Sequence, residues 1–138
     1  SVQVLTTNPL FESWGHFPTE KRRLFDLMQK TDPAGLMFLS GDVHLSEISV
    51  AKFTRADGNI GEWPEVTSSG LTHTCADGLL GFVCPIVMSL CSHHRRAGKS
   101  LYLGKNFGTL ETVVTPRQSA SRITHNPTPH TTATSSTL

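Results

Sequence analysis

Residues 36–50 read LMFLSGDVHLSEISV, and this stretch decides the class of fold that the sequence predicts. Its first half is an apolar run that ends at Ser40-Gly41, which is typical of a β-strand covered on both faces. The second half begins a partly exposed strand that runs to an Asp-Gly turn at residues 57–58. Asp42 and His44 lie between the two predicted strands, where the buried strand has just ended.

A helix is predicted immediately before the apolar strand. It begins at Pro18-Thr19-Glu20 and ends at Thr31-Asp32, because the residue before Pro33 avoids the helical region. Its apolar residues share one face at helical spacing, and they are Leu24, Phe25, Leu27 and Met28. A helix followed at once by a buried strand indicates an α/β (α+β) fold.

The 138 residues are enough for one domain with a buried core. Residues 1–114 carry the apolar patterns and form the predicted domain. Residues 115–138 are rich in Ser, Thr and Pro and nearly lack large apolar side chains. Such a composition buries too little surface to offset the entropy of ordering, so we expect a disordered tail there.

The charge composition excludes some functions and leaves the compartment open. Twelve basic and eleven acidic side chains give a formal net charge of +1, which offers no signal for nucleic acid or for an anionic membrane surface. The apolar stretch 79–91 is too short to span a bilayer and contains Pro85. Three cysteines are an odd count for a disulfide framework, although Cys84 and Cys91 could pair in an exported protein.

Asp42 and His44 are the candidate functional pair. In an open α/β sheet, ligands bind at the carboxyl ends of strands, and residues i and i+2 of an extended segment point the same way. A carboxylate and an imidazole that converge in this way suit a divalent or trivalent metal ion. The alternative is a turn-forming aspartate and a structural histidine. Glu47 either orients the His44 imidazole or is a solvated strand residue.

Four segments resemble motifs of one enzyme family, in the family's order. SGDVHLSEIS at residues 40–49 resembles the C-terminal metal motif of the PhoD-like (alkaline phosphatase D type) metallophosphatases. FESWGHFPTEKRRLFDLM at 11–28 resembles the family's Trp-Gly-aromatic-Pro segment with the helix behind it. WPEVTSSGLTHT at 63–74 and YLGKNFGTLE at 102–111 are similar to two further blocks.

This resemblance implies a calcineurin-like metallophosphoesterase fold, a four-layer α-β-β-α sandwich. Its active site would hold two or more metal ions, iron with calcium as in the best-understood relatives, or zinc or manganese. A metal-activated water would hydrolyse a small phosphate monoester or diester. Asp42 and His44 would be metal ligands, and the parent protein would be secreted or pass through the secretory pathway.

The sequence also departs from the family pattern. The family takes most of its metal ligands from its N-terminal half, and no motif for those ligands occurs here. The chain lacks an initiator Met and is expected to begin inside a longer protein or after a processing site. It is therefore expected to be a C-terminal fragment that needs the rest of the parent domain and is inactive alone. The alternative is a non-catalytic binding or scaffold module that retains a partial metal site.

Four more residues are candidates for the surroundings of the site. In the family block, His73, Ser68 and Ser69 would lie near the phosphate, because hydroxyls and imidazoles are good partners for its oxygens. The alternative is a polar turn that His73 caps. His16 stands before the predicted helix, where it either lines a substrate pocket or packs in a loop on the core.

Overall fold

The computed structural model describes residues 2–77, 81–90, 100–114, 119–127 and 134–137. A short 3-10 helix at Trp14–His16 precedes the first α-helix. The other elements, in chain order, are α1 (Pro18–Thr31), β1 (Phe38–Ser40), β2 (Ser46–Thr54), β3 (Ile60–Ser68), α2 (Val83–Leu90), β4 (Asn106–Val114), β5 (Ser119–Pro127) and β6 (Thr134–Thr137). This mixture of helices and strands confirms the predicted α+β class.

The first sheet is mixed and has the strand order β1-β3-β2. β2 and β3 form an antiparallel hairpin, paired from Ser46↔Ser68 to Thr54↔Ile60. The turn between them has Gly58 at φ 83°, a left-handed conformation that glycine adopts at no steric cost. The predicted strand and Asp-Gly turn are thus confirmed.

The sequence predicts that β1 is a strand covered on both faces, and the structure differs from this prediction. β1 is three residues long and pairs in parallel with β3 alone among the described strands. Leu39 is 56% exposed, although Val66 and Ile48, its neighbours across the sheet, are buried. An apolar run indicates burial but does not say what covers it, and here β1 lies at the edge of the sheet.

α1 begins and ends where the sequence predicts. Pro18 occupies its first turn, and Asp32 ends it in a left-handed conformation, with its backbone N–H donating to the carbonyl of Met28. Leu24 and Phe25 pack against the buried residues Val4, Leu5 and Ala51, and Met28 is also buried. Leu27, by contrast, is exposed.

The second sheet has the order β4-β5-β6 and is antiparallel. β5 and β6 lie within 115–138, the segment for which composition predicts a disordered tail. The structure differs from that prediction, because β5 pairs with β4 from Asn106↔Pro127 to Val114↔Ser119. Threonine is common in this segment and is β-branched, which favours strand pairing even without a large apolar core.

The described part of the chain has no helix both long and apolar enough to cross a membrane.

Candidate functional site

The loop between β1 and β2 carries Asp42 and His44. Both residues have positive φ, 75° for Asp42 and 54° for His44. The assumption that the extended conformation continues through this loop is therefore wrong. Val43 and Leu45 between and beside them are buried in a core cluster with Cys84 and Met88, while Asp42 is exposed and His44 is half-buried. The alternation of buried and accessible residues keeps both candidate ligands at the surface.

His44 is held on both sides of its peptide backbone. Its N–H donates to Ser69 Oγ at 3.0 Å, and its carbonyl accepts from the Cys75 N–H at 3.0 Å. The His44 ring meets the ring of His73 edge-on, with 3.9 Å between centroids. Nδ1 of His73 lies 3.0 Å from Thr72 Oγ1. The structure thus brings His73 against His44, although 29 positions separate them in sequence.

Ser68 and Ser69 form the turn that supports His44. Besides accepting from His44, Ser69 donates its backbone N–H to the Leu45 carbonyl at 3.1 Å. Ser68 Oγ donates to Asn106 Oδ1 at 3.0 Å. Ser69 therefore contacts His44, Ser68 contacts Asn106, and the two hydroxyls hold the loops together.

For Lys105 and Asn106 the sequence left two interpretations open, contact with phosphate or a turn at the end of a strand. Asn106 is 3% exposed and lies at the start of β4, and its side chain contacts the turn at Ser68–Gly70. A strand-end asparagine is common in any sheet, so its type and position alone carry no signal.

Glu47 is not a solvated strand residue. It is 2% exposed, and its carboxylate accepts from Gln3 Nε2 at 2.6 Å. Gln3 also donates to Thr67 Oγ1 at 3.0 Å, and that hydroxyl shares a hydrogen bond with Ser40 Oγ at 2.8 Å. Glu47 thus belongs to a polar chain in which Gln3 of the N-terminal segment links it to Thr67 and Ser40.

His16 lies in a different part of the structure. Its Nε2 is 2.9 Å from the carbonyl of Phe11. It lines a cleft, and the lining residues do not include Asp42, His44 or His73; they are Pro9, Leu10, Phe11, Glu12, His16 and Phe17. His16 is the last residue of the 3-10 helix and is exposed, so it does not pack in a loop on the core.

A disulfide fastens the loop that carries His73. Cys75 is bonded to Cys84, which lies in α2 and is buried against Val43 and Leu45. The pairing of Cys84 with Cys91 that the sequence left open is therefore corrected, and Cys91 lies outside the described residues. The spacing of the cysteines in the sequence gave no reason to prefer Cys75 over Cys91 as the partner of Cys84.

The side chains at the site are of types that bind metal ions, but they are too few to form a complete metal site. Asp42 supplies a carboxylate, and His44 and His73 supply two imidazoles. Within the described ranges, no three His, Cys, Asp or Glu residues are grouped so that they could hold one ion. A catalytic ion needs at least three protein ligands, so these residues can form part of a site.

Comparison of the chain with models of protein families, with curated proteins and with solved structures found no match. The resemblance of the four sequence motifs to PhoD-like phosphatases therefore stays a prediction. Any function assigned to the chain rests on these motifs together with the geometry around His44.

Proposed function

We propose that this chain forms part of the metal centre of a PhoD-like, metal-dependent phosphoesterase. Asp42 and His44 are the proposed metal ligands, and His73 lies at the phosphate side of the same centre. The observation that carries this proposal is the ring contact between His44 and His73, 3.9 Å between centroids, beside the exposed Asp42. Two motifs that the resemblance assigns to one active site thus meet in space.

The backbone of the Asp42–His44 loop supports this assignment. Left-handed conformations of residues other than glycine cost about 1–3 kcal/mol each and persist only where the surroundings impose them. Here the buried side chains of Val43 and Leu45 impose them. Such conformations cluster at active sites and ligand-binding loops, and Asp and His adopt them more readily than most residues, so this loop fits a binding role.

Each residue has a defined task in this proposal. Asp42 and His44 bind the metal, and the hydrogen bonds of the His44 backbone to Ser69 and Cys75 fix the position from which its side chain extends. His73 is oriented by Thr72 at Nδ1, so that its Nε2 donates to a phosphate oxygen. When bound, the metal ions supply an activated water and neutralise charge on the phosphate.

The remaining ligands would come from chain segments that this sequence does not contain. The expected ions are iron with calcium, or zinc or manganese, and the complete fold would be the four-layer sandwich. The substrate would be a small phosphate monoester or diester. The alternative, a non-catalytic module with a partial metal site, is favoured by one observation: no three potential ligands are grouped within the described residues.

Hydrolysis of bis(p-nitrophenyl) phosphate by the longest natural protein that contains this chain tests the proposal. Asp42→Asn should lower kcat by at least about 100-fold, since even residues that only orient a metal ligand are worth 10–100-fold. The matched control is Asp57→Asn, because Asp57 is an exposed acid in the β2–β3 turn. Equal activity of the two variants would contradict the proposal, and metal binding without any hydrolysis would favour the binding module.

A further inference from the structure

We propose that Asn106 is the positioning residue of this site, acting on His44 through the turn at Ser68–Gly70. The inference rests on the proposed function insofar as it concerns metal binding. Its structural part, that Asn106 sets the contact between the rings of His44 and His73, stands without any metal. Asn106 itself does not touch the proposed ligands.

The buried side chain of Asn106 binds one hydroxyl and two backbone groups. Its Oδ1 accepts from Ser68 Oγ at 3.0 Å and from the Gly70 N–H at 3.4 Å. Its Nδ2 donates to the carbonyl of Gly104 at 2.8 Å. Its own backbone N–H donates to the Gly70 carbonyl at 3.0 Å. A buried amide with both ends paired is expensive to remove, because its partners would be left without hydrogen bonds.

Gly70 fits closely against this amide. A Cβ at position 70 would lie 2.3 Å from Asn106 Nδ2 and 3.3 Å from the Gly104 carbonyl oxygen. The turn can therefore approach Asn106 only because residue 70 has no side chain. This close fit indicates that turn and amide form one rigid unit.

Ser69 connects the turn that Asn106 binds to the backbone of His44. It lies between the two residues that Asn106 binds, and it accepts the His44 N–H and donates to the Leu45 carbonyl. The same chain continues past Gly70 to His73. Both imidazoles thus depend on one turn, and Asn106 holds that turn to the second sheet.

The test uses the full 138-residue chain without metal and measures the nuclear Overhauser effect between the ring protons of His44 and His73. Asn106→Ala should lose this signal in protein that is still folded. Asn106→Asp keeps the oxygen that accepts from Ser68 and Gly70 but loses the donor to the Gly104 carbonyl, so it should retain more of the signal than Asn106→Ala. If Asn106→Ala does not fold, Ser68→Ala removes one bond of the same unit and should weaken the signal.

The control is Asn8→Ala, which truncates another buried asparagine whose side chain binds the Leu10 N–H in a different loop. Asn8→Ala should lower stability and leave the His44–His73 signal unchanged. An unchanged signal in folded Asn106→Ala, or in Ser68→Ala where Asn106→Ala fails to fold, would overturn the proposal. An equal loss in Asn8→Ala would overturn it too, because the effect would then be general destabilisation.

Metal affinity gives an independent second measurement, with Mn²⁺ alone as the probe. Asn106→Ala should weaken Mn²⁺ binding by about 10–100-fold, as expected for a residue that orients a ligand. Ser69→Ala should weaken it similarly, and the double variant should lose no more than either alone. Absence of Mn²⁺ binding to the longest natural protein that contains this chain would count against the proposed function, while the ring-contact experiment would still decide the role of Asn106.

Discussion

The carboxylate of Glu65 holds the N-terminal segment against the first sheet. It is fully buried and accepts from the backbone N–H groups of Val4 and Leu5, both at 2.7 Å. Lys21 donates from the other side to the carbonyls of Leu5 and Thr6. Burial lowers the pKa of Lys21, and the negative charge of Glu65 opposes that shift. A buried charge is tolerated here because two backbone donors satisfy it.

Replacement of this carboxylate should therefore be costly. In Glu65→Gln the amide nitrogen would face a backbone donor, which leaves that donor buried without a partner. We expect the free energy of unfolding to fall by about 2–3 kcal/mol, measured by urea denaturation. Glu62→Gln is the matched control on the same strand: Glu62 is exposed and lies 3.7 Å from Lys52, so its loss should stay within about 1 kcal/mol. Equal effects of the two substitutions would contradict this account of Glu65.

At the scale of elements, the sequence predicted the helix and the hairpin, which are formed by residues close together in the chain. α1 has its proline at the start and its stop before Pro33, and the β2–β3 hairpin has its Asp-Gly turn. The edge position of β1 and the pairing of β5 with β4 depend on which strands meet across long stretches of chain. Residue patterns indicate burial and periodicity, but they do not predict which strands pair with each other.

The Cys75–Cys84 disulfide joins two elements, the loop after β3 and α2. It closes a loop with a sequence separation of 9, for which restriction of the unfolded chain predicts a stabilisation of about 2–3 kcal/mol. Reduction with tris(2-carboxyethyl)phosphine should lower the urea midpoint accordingly. Cys75→Ser should show the lower midpoint from the outset and no further change on reduction. A midpoint unaffected by the reductant in the unsubstituted chain would exclude this role.

At the scale of the whole molecule, the site was only partly accessible from sequence. The spacing of Asp42 and His44 singled them out, and the family resemblance added His73. The sequence left the role of Asn106 open and gave no role to Glu65, because their contacts span 36 to 61 positions of the chain. The extended geometry expected between Asp42 and His44 was wrong, since burial of Val43 and Leu45 turns this loop into left-handed conformations.

The central claim is that Asp42 and His44, with His73 beside them, form part of a metal centre. The most direct test is paramagnetic broadening of the imidazole resonances of the full chain by substoichiometric Mn²⁺. We expect the signals of His44 and His73 to broaden before that of His16, which lies in the separate cleft. In Asp42→Asn this preference should disappear, and in Asp57→Asn it should remain. Uniform broadening of all histidines, or the same preference in Asp42→Asn, would contradict the claim.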